Sequence, residues 1–277
     1  MMLFTVLANT LREAASRRWV LALAIGVTAG LLAMALLLRM TVTDGVIAGV
    51  SFVGRLVAPD IMTADAAVAP ILQFCAQAIF YGVTLVMVLA TADLAPLLLA
   101  PGRIELLLAM PIRRGELLFG TYLAVVVLAA GAALYGAAGV CLLIGLKAGV
   151  WTAAPLLAAA FGALGFAALY AGMMVVALHA RGAALSAFAG LTLFALGVVA
   201  GLRQDIAPLL GDGVVRAAFT LAMRVPPPLS ALSAAAASLA AGDRLHAVAL
   251  LVPVLHVALF TAGTLVLAHW TFTRKEY

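Results

Sequence analysis

The chain has 277 residues, of which 66% are hydrophobic and 10% charged, with a mean hydropathy of +1.23 and a formal net charge of +5. Soluble domains are about 45–50% apolar and about 25% charged, so this composition excludes a water-soluble globule of the same size. The length leaves room for several spans of about 20 apolar residues within a single transmembrane domain over 1–277, and for no second domain with its own soluble core.

Leu3, Phe4, Leu7 and Leu11 recur at helical spacing, with Arg12, Glu13, Arg17 and Arg18 as polar positions. This predicts an interfacial amphipathic helix over 1–18; the other reading is the frayed polar start of the next span. The apolar run 19–38 has span length and is too long for a cleavable leader. Residues 40–70 carry Asp44, Arg55, Asp60 and Asp65, with Pro59 and Pro70 as breakers. They are expected to form a loop with a short amphipathic helix. Further spans are expected at 71–91, 117–146, 153–178, 184–202 and 247–270. The third exceeds what a bilayer requires, so tilt or protrusion is expected there. Residues 203–246 form a second long connection, in which 213–224 and 229–241 read as short helices lying at the membrane surface or dipping into it. The expected fold is an all-α integral membrane protein with six transmembrane helices.

Basic residues sit beside the apolar runs and form no Lys/Arg-rich patch with interleaved aromatics, which argues against nucleic-acid binding. With the N-terminus inside, Arg12, Arg17, Arg18, Arg103, Arg113, Arg114, Arg181, Arg274 and Lys275 fall on the inner side in short segments next to the spans. The outer basic residues are spread over two longer loops that also hold six aspartates. The positive-inside rule therefore places both termini in the cytoplasm.

Residues suited to catalysis are sparse. His179, His246, His256 and His269 are scattered, and no metal-ligand spacing, HExxH, GxSxG or phosphate-binding Gly-rich loop occurs. No catalytic residue, metal site or cofactor-binding site is expected. Cys75 and Cys141 read as small buried hydrophobes, with a disulfide left open. Asp93 and His256 are the titratable residues that stand out within or at the ends of spans, and they read as an interfacial cap and a packed histidine. The shortage of such groups counts against an ion-coupled carrier.

Residues 93–116 differ from the rest. Pro96, Pro101, Gly102, Pro111 and Gly115 alternate with Arg103, Glu105, Arg113, Arg114 and Glu116, so the segment cannot cross a bilayer. Ile104, Leu107 and Leu108 can share one face of a short helix over 103–110, which Pro101 and Gly102 would start and Pro111 would stop. A short amphipathic helix standing out of the membrane fits a groove on a soluble partner.

The order of an acidic residue ending span 2, then Pro96, Gly102, Glu105-Leu106-Leu107-Leu108-Ala109, Pro111-Ile112 and Arg114, then span 3, resembles the type-2 ABC transporter permeases. The resemblance implies the membrane subunit of an ATP-driven transporter in the bacterial plasma (inner) membrane, itself not an enzyme. ATP and magnesium would belong to a separate ATPase subunit. Gly102, Arg103, Glu105, Leu108, Pro111, Arg113 and Arg114 would form the coupling helix that contacts that ATPase. Residues 1–18 would be the interfacial connecting helix, and a second permease, identical or not, would complete the assembly among membrane lipids. The chain lacks the longer Asp-Gly insertion of some members, so no particular cargo follows. The apolar spans suit an amphiphilic one. The rival readings are a non-transporting membrane scaffold and a secondary carrier.

Overall fold

A computed structural model describes residues 2–16, 18–43, 46–52, 55–58, 62–98, 113–180, 182–243 and 247–274. Eleven α-helices and four short strands are found among the described residues: α1 Met2–Ala15, α2 Arg18–Leu37, β1 Leu38–Thr43, β2 Val46–Phe52, β3 Arg55–Ala58, β4 Met62–Thr63, α3 Ala64–Thr91, α4 Leu94–Leu98, α5 Arg114–Ala148, α6 Ala154–Ala180, α7 Ala183–Gly201, α8 Arg203–Ile206, α9 Val214–Ala222, α10 Leu229–Ala240 and α11 Ala247–Arg274. A 3₁₀ turn, Ala207–Leu210, follows α8.

Six of the helices (α2, α3, α5, α6, α7 and α11) are long and apolar enough to cross a membrane. The membrane body is all-α, as the composition requires: lipid offers no partner for backbone N–H and C=O groups, so each span must satisfy its own.

The middle of the bundle is α6, which packs against α3, α5, α7, α10 and α11. Its residues Phe166 to Ala171 are buried, as are Met173, Met174 and Ala177. Such closeness depends on small residues. A Cβ built on Gly165 would lie 3.0 Å from Phe80 Cζ and 3.3 Å from Leu229 Cδ2. Tyr122 and Phe166 stack on Tyr170 at 6.2 and 5.9 Å between centroids, and Tyr122 donates from its hydroxyl to the Ala167 carbonyl at 3.2 Å. By contrast α2 has no buried residue. It leans on α5 through Leu31, which fills the space a side chain at Gly139 would need.

The region 40–70 corrects the sequence reading. In place of a loop with a short helix, the four strands form an antiparallel sheet with the order β1-β2-β3, and β4 pairs with β2. Leu38 faces Phe52 in the first pair and Thr43 faces Val46. Nor does Pro70 break the chain: it lies inside α3, which begins at Ala64. A single proline costs one backbone hydrogen bond near the start of a helix, and the neighbours of a packed span can compensate for it.

At this sheet end a second apolar cluster gathers Leu38, Val68, Leu72, Cys75, Ile144 and Ala240. Lys147, in the last turn of α5, donates from Nζ to the carbonyls of Ala35 and Leu38, where α2 passes into β1. Its ammonium thus neutralises the carbonyl end of a helix in apolar surroundings. Gly149 then ends α5 in the left-handed region, with φ 70°, and its N–H bonds the Gly145 carbonyl at 3.1 Å. Both cysteines are free, and Cys75 directs its thiol to Met34 Sδ at 3.4 Å, joining α2 to α3.

The 203–243 connection has two unlike parts. Helix α9 has no buried residue. Helix α10 is buried along one side against α3, α6 and α7. Ser233 donates to the Ser230 carbonyl at 2.9 Å, so its single proton is spent and Tyr81 must be the donor in the 2.6 Å Tyr81–Ser233 contact. Ser230 donates to the Val198 carbonyl at 2.9 Å. These bonds fix α10 to α3 and α7. Of the two GxxxG pairs that lie wholly within spanning helices, Gly197 and Gly201 take the close approach of α10, whereas Gly26 and Gly30 have open space around them.

Candidate functional site

The segment singled out by its Pro and Gly bracketing joins α4 to α5. Gly102, Arg103, Glu105, Leu108 and Pro111 lie outside the described residues; Arg113 and Arg114 are described. The two attachments of the segment to the bundle define the candidate site.

On the leading side, α3 ends at Thr91 and α4 starts after Asp93. The Asp93 carbonyl accepts from the Leu97 N–H at 2.9 Å, closing the first turn of α4. Leu94 and Ala95 are buried at 4% and 5% exposure, and α4 packs on α6 and α7. The stretch that leads into the connection is therefore seated in the core, with the central helix beneath it.

On the trailing side, α5 begins with Arg113 in an extended conformation, φ −71° and ψ 140°. Its N–H donates to the Glu116 carboxylate at 3.2 Å, satisfying one of the donors that a helix start leaves open. The reciprocal half of a capping box is missing because a guanidinium has no acceptor. Arg114 reaches across to the end of α11, donating from Nη1 to the carbonyls of Phe272 and Thr273 at 3.4 and 3.3 Å. A cation at the carbonyl end of a helix is electrostatically favourable.

The contact continues one turn inward. A Cβ on Gly115 would meet His269 Cε1 at 3.0 Å, so glycine there lets α11 come close. His269 stacks on Phe119 at 6.0 Å, and its buried Nδ1 has no partner among the described residues. Arg274 lies over the Trp270 ring at 4.2 Å, a cation–π contact between residues one helical turn apart at the end of α11.

Of the residues expected at the site, the structure thus brings Arg114 to a joint between α5 and α11 and places Arg113 at the start of α5. Sequence reasoning missed His269, Trp270, Phe272 and Arg274 on the far side of that joint. A local signal was present for one pair, since Trp270 and Arg274 stand at i and i+4 on one helix face. The long-range partners carry no such mark. Among the described residues the arrangement holds no group of three or more metal-ligating side chains. It ties one end of the connection to α6 and α7, and the other to α11. No family model matches the chain, and no curated protein matches it.

Proposed function

We propose that this chain is the membrane-spanning subunit of an ATP-driven transporter of the type-2 ABC permease kind, with an ATPase on a separate chain docking at the connection between α4 and α5. The observation that carries the reading is the double anchorage of that connection. A push on it is delivered through α4 to α6 and α7, and through Arg114 to the end of α11. A loop that merely joined two spans would need neither seat. Rigid spans moved together by a docked, nucleotide-driven partner are a known form of switching.

In this reading the connection and both chain ends face the cytoplasm, as the basic residues beside the spans favour, and the membrane is the bacterial plasma membrane. A second permease subunit completes the path, and an amphiphilic cargo suits the apolar spans. Gly102, Arg103, Glu105, Leu108 and Pro111 supply the face for the ATPase, and Arg113 and Arg114 its mechanical root.

The test is co-purification in detergent with a co-expressed candidate ABC ATPase, comparing the unmodified chain with Glu105→Arg and Gly102→Trp. Retention by the unmodified chain and loss in both variants, with elution volume unchanged, supports coupling. Failure of the unmodified chain to retain any ATPase, or equal retention by both variants, overturns the reading and favours a membrane scaffold.

A further inference from the structure

A crevice of about 300 Å³ opens between α1, α2, α3, α4 and α5. Leu11 from α1, Trp19 and Leu23 from α2, Thr91 from α3, and Gly131 and Tyr135 from α5 are among its walls. Its size is at the lower end of small-molecule sites, but its chemistry is one-sided. The Thr91 hydroxyl spends its proton on the Met87 carbonyl at 2.7 Å. Thr28 gives its own to the Ala24 carbonyl at 2.7 Å, so Tyr135 must donate to Thr28 across their 2.7 Å contact. Both wall hydroxyls therefore have their protons committed, and the lining asks for a ligand without polar atoms along its length. Gly131 has nothing within 4 Å of its Cβ position, so the space is real at that point.

The mouth is different. Leu11 and Trp19 are the wall residues next in sequence to Arg12 and Arg18, and both arginines are exposed. Trp19 itself is 56% exposed, and its indole suits the level of lipid headgroups and esters. An apolar slot whose wall residues Leu11 and Trp19 are each followed or preceded in sequence by an exposed arginine matches an acyl chain below an anionic phosphate.

We infer that the α1–α2–α5 crevice is a binding site for one acyl chain of an anionic phospholipid, whose phosphate is held by Arg12 and Arg18. The inference rests on the membrane fold alone and stands independently of the ATPase reading. Basic pockets between spans are established headgroup sites, and each arginine near a charged lipid surface is worth about fivefold in affinity.

The test uses the full chain with Trp151→Phe and Trp270→Phe, so that Trp19 is the remaining tryptophan, reconstituted in phosphatidylcholine vesicles. Brominated phosphatidylglycerol and brominated phosphatidylcholine are titrated in separately. Stronger quenching of Trp19 by the anionic lipid at equal mole fraction is expected, with a preference of about tenfold or more. Gly131→Leu, which grows into the slot, should remove most of that preference. Arg12→Gln with Arg18→Gln should make the two lipids equivalent; these exposed changes spare the core and keep the test open if Gly131→Leu fails to fold. Equal quenching by both lipids in the starting chain means ordinary bilayer contact and overturns the proposal. Absence of quenching by either means that protein fills the crevice, a second copy included, and overturns it too.

Discussion

Gly26 and Gly30 repeat the spacing of Gly197 and Gly201, yet the structure gives a methyl group at the two sites opposite consequences. At Gly201 a Cβ would fall 2.1 Å from Ser230 Oγ and 2.7 Å from the Ala231 backbone nitrogen. A serine hydroxyl can turn away, but a backbone nitrogen cannot. Ser230 would forfeit its bond to the Val198 carbonyl, about 1 kcal/mol, and α10 would have to back off from α7, an overpacking cost of about 1–3 kcal/mol. Gly201→Ala should therefore destabilise by about 2–4 kcal/mol. At Gly26 nothing lies within 4 Å, so Gly26→Ala should be neutral or gain a few tenths of a kcal/mol through helix propensity. The assay is thermal unfolding of each variant in the same detergent, scored by the loss of the monodisperse elution peak. Adding Ser230→Gly to Gly201→Ala should recover part of the loss, because the two residues share one contact. Equal melting of Gly201→Ala and Gly26→Ala would refute the docking of α10 on α7 and the reasoning built on it.

Lys147→Met keeps the length and removes the charge, leaving the Ala35 and Leu38 carbonyls without their donor in apolar surroundings. A loss of about 2–3 kcal/mol is expected in the same melting assay, with Lys147→Arg intermediate. Tyr81→Phe deletes the donor to Ser233 and should cost about 1 kcal/mol; limited proteolysis within 203–228 should quicken as α10 loosens. Arg114→Gln loses the bonds to the Phe272 and Thr273 carbonyls. It should cost about 1 kcal/mol in stability while lowering transport-linked ATP hydrolysis by much more than Lys147→Met does, measured on the complex in vesicles. Equal effects of the two on hydrolysis would mean that the α5–α11 joint has no part in coupling.

The spans were legible in the sequence because lipid imposes a single rule on every backbone that crosses it. The helix ends were read less well: α3 begins seven residues before the expected position, since Pro70 was weighed as a breaker when the turn before it is already helical. The sheet of β1 to β4 is not read from the sequence, although Asp44-Gly45, a strong short hairpin signal, falls between segments rich in Val and Thr. The charges of that region drew the reading toward an amphipathic helix. At the candidate site, the break at Pro and Gly and the basic residues beside the membrane were local and could be read. The meeting of Gly115 with His269, and of Arg114 with Phe272, joins residues more than 150 positions apart. No spacing rule reports such a contact. The same limit hid the crevice beside Trp19, which five separate elements build.

Helix α2 stands apart from the other spans. Its best window has a mean hydropathy of 2.5 with none of it buried, whereas that of α6 has 2.0 with 72% buried. A segment leaving the ribosome enters the bilayer before its later neighbours exist, so it must be content in lipid alone. The span that precedes the others meets that condition by composition. The central helix, less apolar and rich in Gly and Ala, does not need to, because it arrives last among the partners that will enclose it on one side and just before those that close the other. Helix α2 can therefore serve as an anchor that holds the nascent chain in place, and a truncation after β1 should still insert.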